Sequence, residues 1–300
     1  PFYFSGEIPL FEDALFEVIS GFTTTGASVL SDVESLSRCM LMWRSFTHWI
    51  GGMGVLVFIL CLLPLTGGYH MNLMKAESPG PSVSKLVPKV QSTAKILYTI
   101  YIILTIVEII FLLIGKMPLF DTLCLSFGTA GTGGFGIKND SIASYSTYNQ
   151  VVITVFMILF GINFNAYYLL LTKKVMQAAK NEEVRYYLGI IGLAIVAIAI
   201  NTREMFTSFG RAFQQAAFQV GSIITTTGYA TTDFNVWPVF SKTILVILMF
   251  VGACAGSTGG GIKVSRLLIL CKSARKELQL YLHPNAVKKI KMDDKAIPHE

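Results

Sequence analysis

The stretch Phe16-Glu17-Val18-Ile19-Ser20-Gly21-Phe22-Thr23-Thr24-Thr25-Gly26 recurs as Phe218-Gln219-Val220-Gly221-Ser222-Ile223-Ile224-Thr225-Thr226-Thr227-Gly228. A degenerate third copy, Thr132-Gly133-Gly134-Phe135, lies between them. A short amphipathic segment precedes each copy, at 10–22, 119–130 and 211–224, and a long apolar segment follows it. The preceding segments are shorter than the roughly 20 residues that cross a bilayer. We expect re-entrant half-helices, because non-helical backbone at membrane depth persists only inside protein or beside water.

The composition predicts an integral membrane protein. Hydrophobic residues make up 53% of the chain and charged residues 14%, against about 25% charged residues in soluble domains. The mean hydropathy is +0.59. Apolar runs of membrane-spanning length occur at 40–65, 94–115, 151–171, 184–201 and 239–254, and a shorter apolar stretch follows at 262–271. The chain starts at Pro1 without Met or a basic leader segment, so we expect a fragment or a trimmed chain.

The distribution of charge predicts the orientation in the membrane. The net charge is +6, yet residues 1–37 hold six acidic residues and no Lys or Arg. Basic residues concentrate in 72–93, 173–183 and 272–300. By the positive-inside rule, these segments lie in the cytoplasm and the three Thr/Gly turns on the outer side. The alternation also argues against a nucleic-acid surface, so the expected partner is a lipid bilayer and no nucleic acid.

The turns recur at intervals of roughly 100 residues, which indicates an internal repeat. The predicted fold class is an all-α membrane protein in which span, pore half-helix and span repeat around a pseudo-fourfold pore. Three pore loops are present, and we infer that the first leading span and the fourth repeat lie outside this sequence. The predicted divisions are repeat 1 at 1–71, a cytoplasmic linker at 72–93, repeat 2 at 94–172, a cytoplasmic linker at 173–183, repeat 3 with a broken second span at 184–271, and a basic cytoplasmic linker at 272–300.

The Thr/Gly turns have the chemistry of an ion filter. Rings of backbone carbonyls replace the water shell of a potassium ion without a full charge that traps the ion. Glycine reaches the required backbone conformation without a Cβ penalty, and the C-terminus of each half-helix adds a partial negative charge. Plain inter-helix turns are the alternative. The predicted ion ligands are the carbonyls of Thr24, Thr25, Gly26, Ala27, Thr132, Gly133, Gly134, Phe135, Thr226, Thr227, Gly228 and Tyr229.

An acidic residue follows each turn at a similar offset, namely Asp32, Asp140 and Asp233. Together these residues predict an outer mouth whose negative potential attracts cations. For any one of them, a solvated loop carboxylate is the alternative. The repetition favours the mouth.

A glycine-rich stretch interrupts the last apolar run. Glycine at this density does not sustain a helix, because each residue costs roughly 1 kcal/mol relative to Ala. We expect a broken helix beside the conduction path that acts as a gate, and a kink for tight helix packing is the alternative. The predicted gate residues are Gly252, Gly256, Ser257, Thr258, Gly259, Gly260 and Gly261.

Some ionisable residues fall inside predicted spans. Glu108 is a functional hypothesis by default, with its role left open. Arg44 and His48 lie four residues apart, and we expect them to anchor near the outer interface, with pairing to acids such as Glu17 as the alternative. The five cysteines are scattered, and no metal-ligand spacing or nucleophile–base arrangement occurs. The sequence therefore predicts neither an enzyme nor a covalent cofactor.

These motifs resemble the superfamily of Trk, Ktr and HKT potassium transporters, and most closely its bacterial TrkH-type membrane subunits. The resemblance runs the whole chain. It implies four span–half-helix–span repeats around one pore, a selectivity glycine in each repeat (here Gly26, Gly134 and Gly228) and a gating loop at 252–261. Besides the turns it rests on Trp43-Arg44-Ser45-Phe46, Trp49-Ile50-Gly51-Gly52-Met53-Gly54, Gly256-Ser257-Thr258-Gly259-Gly260-Gly261-Ile262-Lys263 and His283-Pro284-Asn285-Ala286-Val287.

The resemblance implies a multi-pass protein of the cytoplasmic (inner) membrane of a bacterium that takes up potassium, with the potassium ion as substrate. It also implies a homodimer that binds a cytoplasmic TrkA-type nucleotide-binding regulatory subunit. Two alternatives remain open. One is a sodium-permeable or poorly selective cation transporter of the same fold, and the other is a non-conducting membrane scaffold subunit.

Overall fold

A computed structural model describes residues 1–54, 90–283, 291–293 and 295–296. Residues 55–65 of the first predicted span and most of the predicted linker 72–93 lie outside the described residues. The described chain is helical, apart from a two-stranded antiparallel ribbon of β1 (Lys291–Met292) and β2 (Lys295–Ala296). Its α-helices, in chain order, are α1 (Phe2–Ser5), α2 (Phe11–Phe22), α3 (Arg38–Gly52), α4 (Val90–Ile114), α5 (Leu119–Ala130), α6 (Thr147–Phe160), α7 (Phe164–Leu171), α8 (Val175–Lys180), α9 (Glu182–Asn201), α10 (Phe209–Ile224), α11 (Val239–Val251) and α12 (Val264–Leu282).

The three predicted half-helices are present as α2, α5 and α10, with 12, 12 and 16 residues. At about 1.5 Å per residue they reach roughly 18 to 24 Å, short of a membrane crossing. Helix α10 begins two residues before the predicted start, because the Ser208 side chain accepts a hydrogen bond from the Arg211 N–H and caps the helix. Each half-helix ends at its Thr/Gly turn.

Two of the described helices, α4 and α9, are long and apolar enough to cross a membrane. The continuous span predicted at 151–171 is wrong, because α6 and α7 meet at an angle of 90°. The break lies at Gly161–Asn163, where the Asn163 side chain accepts from the Asn165 N–H and caps α7. Helix α11 has 13 residues and stops at Gly252. Helix α12 continues past the apolar stretch predicted at 262–271, up to Leu282.

The helices pack into two main apolar clusters. One cluster joins α4, α5, α6 and the start of α7, with Tyr101, Leu125 and Phe160 fully buried. The other joins α9, α10 and α11 with the loop that follows α11. The outer faces of the long helices remain apolar, as at Leu193 on α9 and Phe250 on α11. Such large exposed apolar faces fit contact with lipid.

A buried ion pair joins the first half-helix to α3. Glu17 Oε2 lies 3.0 Å from Arg44 Nε, and the two side chains are 0% and 3% exposed. The other oxygen of Glu17 accepts from the Val29 N–H at 2.9 Å and from the Ser28 hydroxyl. The Arg44 guanidinium lies over the ring of Phe135 at 3.6 Å, and its Nη1 donates to Gly136 O. The pair therefore ties the segment after the first turn to the second turn.

We expect Arg44→Met to destabilise the fold strongly, since removing one partner leaves an unpaired buried carboxylate at a cost of about 3 to 5 kcal/mol. The measurement is the apparent Tm of the purified protein in detergent. The matched control is Lys272→Met, which removes the partly exposed pair with Glu182, where the expected loss is about 0 to 1 kcal/mol. The double variant Glu17→Gln/Arg44→Met should recover part of the loss. Equal Tm values for the Arg44 and Lys272 variants would contradict the prediction.

Candidate functional site

The three Thr/Gly turns share one backbone conformation. In each, a threonine with positive φ stands two residues before a glycine with positive φ, at 54° and 72°, 50° and 82°, and 58° and 84°. The residue between them has no positive φ in any turn. In each turn a residue without positive φ thus separates two residues with positive φ, a backbone pattern that is compatible with the carbonyl rings of an ion filter. The pairs are Thr24 and Gly26, Thr132 and Gly134, and Thr226 and Gly228.

Each turn is fastened to its own half-helix in the same way. The N–H of the residue before the glycine donates to the carbonyl five residues earlier, at 2.9, 3.0 and 2.9 Å. The C-terminal dipole of each half-helix therefore lies directly under its turn, where it favours a cation. The three donor–acceptor pairs are Thr25 to Ser20, Gly133 to Gly128, and Thr227 to Ser222.

The turns lie against one another in chain order. A Cβ on Gly26 would lie 1.9 Å from Gly133 O, and a Cβ on Gly134 would lie 1.9 Å from Thr227 O. At Gly228 an added Cβ meets no described atom within 4 Å. The predicted ion ligands of the first turn therefore lie beside those of the second turn, and those of the second turn lie beside those of the third.

The outermost predicted ligands have a second role. Ala27 O accepts a hydrogen bond from the Ser20 hydroxyl, and Tyr229 O accepts one from the Ser222 hydroxyl, each at 2.6 Å. Phe135 O lies 3.3 Å from the Tyr229 hydroxyl. One lone pair of each of these carbonyl oxygens is therefore used within the protein, and the second is left.

The predicted gate residues form a loop between α11 and α12 that lies against the threonine end of the turns. The Gly260 N–H donates to Thr226 Oγ1 at 2.7 Å. The Thr132 hydroxyl donates to Thr258 O at 2.9 Å. A Cβ on Gly259 would lie 3.0 Å from Thr225 O. The loop therefore contacts both the second and the third turn.

The same loop is bound to the break between α6 and α7. The Cys254 N–H donates to Gly161 O at 3.0 Å, and the Phe164 N–H donates to Gly256 O at 2.9 Å. Gly252, Gly256 and Gly261 in the loop have φ between 67° and 81°, a region that L side chains rarely adopt. The two interrupted helices thus meet backbone to backbone below the turns.

Glu183 holds the loop from the first turn of α9, a role that no sequence motif indicates. Its Oε1 accepts from the Ala255 N–H at 2.7 Å and from the Ser265 N–H at 3.1 Å. Its Oε2 accepts from Asn163 Nδ2 at 3.4 Å. The side chain is 3% exposed. An acid in the first turn of a helix is ordinary, so only the tertiary contact reveals the function.

The predicted outer-mouth acids are all exposed, and each also makes a local hydrogen bond. Asp32 accepts from Asn139 Nδ2 at 2.7 Å, which links the segments after the first and second turns. Asp233 accepts from the Asn235 N–H, and Asp140 accepts from the Ser144 hydroxyl. This geometry is compatible with both alternatives for these acids, an outer mouth that attracts cations and solvated carboxylates that cap their own loops.

Arg44, His48 and Glu108 are all buried within the protein. The predicted anchoring of Arg44 and His48 near the outer interface is wrong, since both are buried, and His48 stacks on Phe135 at 4.0 Å between ring centroids. The alternative pairing of Arg44 with Glu17 is the one observed. Glu108 is fully buried, and its carboxylate oxygens have no hydrogen-bond partner among the described residues.

The glycines at the end of α3 lie against the first and second turns. A Cβ on Gly51 would lie 2.3 Å from Phe22 O, and a Cβ on Gly52 would lie 2.4 Å from Gly131 Cα. Side chains at these two positions would therefore push the first and second turns away from α3.

Comparison with known proteins places this geometry in a family. The family model TrkH, described as a cation transport protein, matches residues 2–193 and 184–300. The Trk system potassium uptake protein TrkH of Salmonella typhimurium is 36% identical over 99% of this chain and 63% of its own length. TrkH of Vibrio parahaemolyticus is 38% identical over 95% of this chain and 60% of its own length.

A solved structure agrees with these relatives. The crystal structure of the potassium transporter TrkH from Vibrio parahaemolyticus superposes with a TM-score of 0.81 and 34% identity, over 95% of this chain and 59% of that one. The chain thus spans about three-fifths of the length of the relatives that it matches. Because the family model covers almost every residue, the chain belongs to the TrkH family of cation transport proteins.

Proposed function

We propose that this chain forms most of a potassium uptake pathway across the cytoplasmic membrane of a bacterium. The observation that carries the proposal is the common backbone conformation of the three turns, together with their contact in chain order. Carbonyl rings at such turns replace the water that a potassium ion loses. The membrane potential supplies about 2.3 kcal/mol per charge per 100 mV for inward movement. The names of the relatives, potassium uptake proteins, support potassium as the substrate.

We infer that a fourth turn, from outside residues 1–300, completes the ring. Gly26 and Gly134 each face the backbone of the next turn, whereas the corresponding side of Gly228 is open among the described residues. The first turn contacts the second and the second contacts the third, so a fourth turn in the same arrangement would lie on the open side of Gly228. A turn of the same kind there would give the pseudo-fourfold pore that the repeat predicts.

We propose that the loop 252–261 gates this pathway from the cytoplasmic side. Its contacts with Thr132 and Thr226 lie where an ion leaves the turns. Its glycines allow a second backbone arrangement at low steric cost. Glu183 holds the loop in the arrangement described above, through charge-assisted hydrogen bonds.

We propose a homodimer in the lipid bilayer that binds a TrkA-type nucleotide-binding subunit through its basic cytoplasmic segments. The word "system" in the names of the relatives supports more than one component. A poorly selective cation transporter and a non-conducting scaffold are the competing functions, and ion flux separates them.

We expect Gly26→Ser, Gly134→Ser and Gly228→Ser each to reduce potassium uptake, because a Cβ at positive φ strains the turn by about 1 to 2 kcal/mol. Gly26→Ser and Gly134→Ser should be the more severe, since their added atoms also meet backbone oxygen at 1.9 Å. The measurements are growth of a potassium-uptake-deficient strain on low potassium, and potassium and sodium fluxes in proteoliposomes, both with the protein as its organism encodes it.

The matched control is Gly192→Ser on α9, where an added Cβ meets nothing within 4 Å. It should grow and conduct like the unmodified protein. Unimpaired growth of all three turn variants would refute the filter. Equal potassium and sodium fluxes in the unmodified protein would favour the poorly selective transporter, and no flux of either ion would favour the scaffold.

We expect Glu183→Gln to raise basal potassium flux in proteoliposomes without regulatory partners. The substitution removes the charge from the hydrogen bonds to Ala255 and Ser265, and a loss of about 1.4 kcal/mol there corresponds to a tenfold shift toward a released loop. The neighbouring Glu182→Gln is the control, since Glu182 pairs with Lys272 at the surface. Identical fluxes for the two variants would count against the loop as a gate.

A further inference from the structure

One position of the half-helix carries a serine in the first and third repeats and a glycine in the second. Ser20, Gly128 and Ser222 each stand six residues before the positive-φ glycine of their turn. In the first and third repeats the serine hydroxyl donates to the carbonyl of the residue after that glycine, at 2.6 Å in both cases. This bond crosses from the half-helix to the outer end of the turn and fixes the direction of one peptide group. The second repeat has no side chain there to make it.

The hydroxyl of Tyr229 occupies the place of the absent serine. It lies 3.3 Å from Phe135 O, the carbonyl that corresponds to those held by Ser20 and Ser222. It also lies 3.2 Å from Leu125 O on the second half-helix. A Cβ on Gly128 would come within 2.1 Å of this hydroxyl oxygen. A serine in the second repeat and the tyrosine in its observed position therefore exclude each other.

Tyr229 itself belongs to the third turn. Its own carbonyl is held by Ser222, while its fully buried ring reaches into the apolar cluster around α5. A phenol in such surroundings needs a hydrogen-bond partner, since an unpaired buried hydroxyl bears its full desolvation penalty. Its acceptors are Leu125 O and Phe135 O, and the side chain of Thr129 also lies within hydrogen-bond reach.

We propose that the Tyr229 hydroxyl, supplied by the third turn, is the positioning group that fixes the outer end of the second turn, in place of a serine. The inference rests on the proposed function, in which these carbonyls set the preference for potassium. Loss of the hydroxyl frees the peptide group after Phe135 to rotate, and a turn that adapts its size no longer rejects sodium. Because this hydrogen bond joins Tyr229 of the third turn to Phe135 of the second, it also fixes the spacing of the two turns.

The primary variant is Tyr229→Phe, which keeps the ring and removes only the hydroxyl. Potassium and sodium fluxes are measured in proteoliposomes with the protein as its organism encodes it. We expect the ratio of potassium to sodium flux to fall by about tenfold, the equivalent of about 1.4 kcal/mol. The matched control is Tyr187→Phe, which removes an equally buried hydroxyl that donates to Ile158 O at 3.2 Å. Its flux ratio should not change.

The rescue variant restores a hydroxyl from the half-helix. Gly128→Ser alone should lower the apparent Tm, because its Cβ meets the Tyr229 hydroxyl. The double variant Gly128→Ser/Tyr229→Phe gives the second repeat a half-helix serine at the position of Ser20 and Ser222 in the other two repeats. After a small shift of the ring, whose Cζ lies 3.2 Å from the added Cβ, it should regain both the Tm and the flux ratio.

The outcomes separate this inference from the proposed function. An unchanged flux ratio in Tyr229→Phe overturns the positioning role. A double variant that is no more stable than Gly128→Ser and no more selective than Tyr229→Phe overturns the replacement of serine by tyrosine. If the unmodified protein conducts no potassium, the proposed function fails, while the coupling of Tm between positions 128 and 229 still tests the replacement.

Discussion

Non-helical backbone inside a membrane protein must find its hydrogen-bond partners within the protein, and the other features of this structure depend on that requirement. The three turns meet it with bonds back to their own half-helices. The loop 252–261 has no half-helix of its own, so it takes partners from Glu183, from the break at Gly161–Asn163 and from Thr226. The turns and the loop are therefore defined by their neighbours more than by local preference.

Hydroxyl groups provide many of these partners. Ser20, Ser222 and Tyr229 hold the outer ends of the turns, and Thr132 and Thr226 meet the loop at their inner ends. A hydroxyl both donates and accepts, and it carries no net charge. This versatility explains why serine and threonine surround the glycines without a metal-ligand pattern.

Much of the fold follows from the sequence, because the recurring Thr/Gly turns and the lengths of the apolar runs directly indicate the helices and half-helices. The half-helix at Leu119–Ala130 has the predicted bounds, and the other two differ by one or two residues at their N-termini. The chain's membership of the family follows from motifs of many residues. The bend after Phe160 was missed although Asn163, a typical N-cap residue, stands at the start of α7. Hydropathy averaged over 151–171 conceals a single capped break.

The contacts between repeats were not predictable from this sequence alone. Glu183 and Ala255 are 72 residues apart, and the Tyr229 hydroxyl meets a carbonyl 94 residues away. Burial of Arg44 was also contrary to expectation, because a lone arginine near the end of an apolar run is normally at the interface. Its partner Glu17 was visible in the sequence, but the direction of the side chain depends on how α2 packs on α3.

Helix α12 starts three residues after the glycine-rich loop ends and continues unbroken for 19 residues, about 28 Å. Its Ser265 shares Glu183 with the loop at one end of this rod, and Lys272, further along, pairs with Glu182 on the same turn of α9. Two adjacent residues at the start of α9 thus hold α12 at two places along its length. Because one oxygen of Glu183 accepts from both Ala255 in the loop and Ser265 in α12, the positions of the loop and of the first turn of α12 depend on the same side chain.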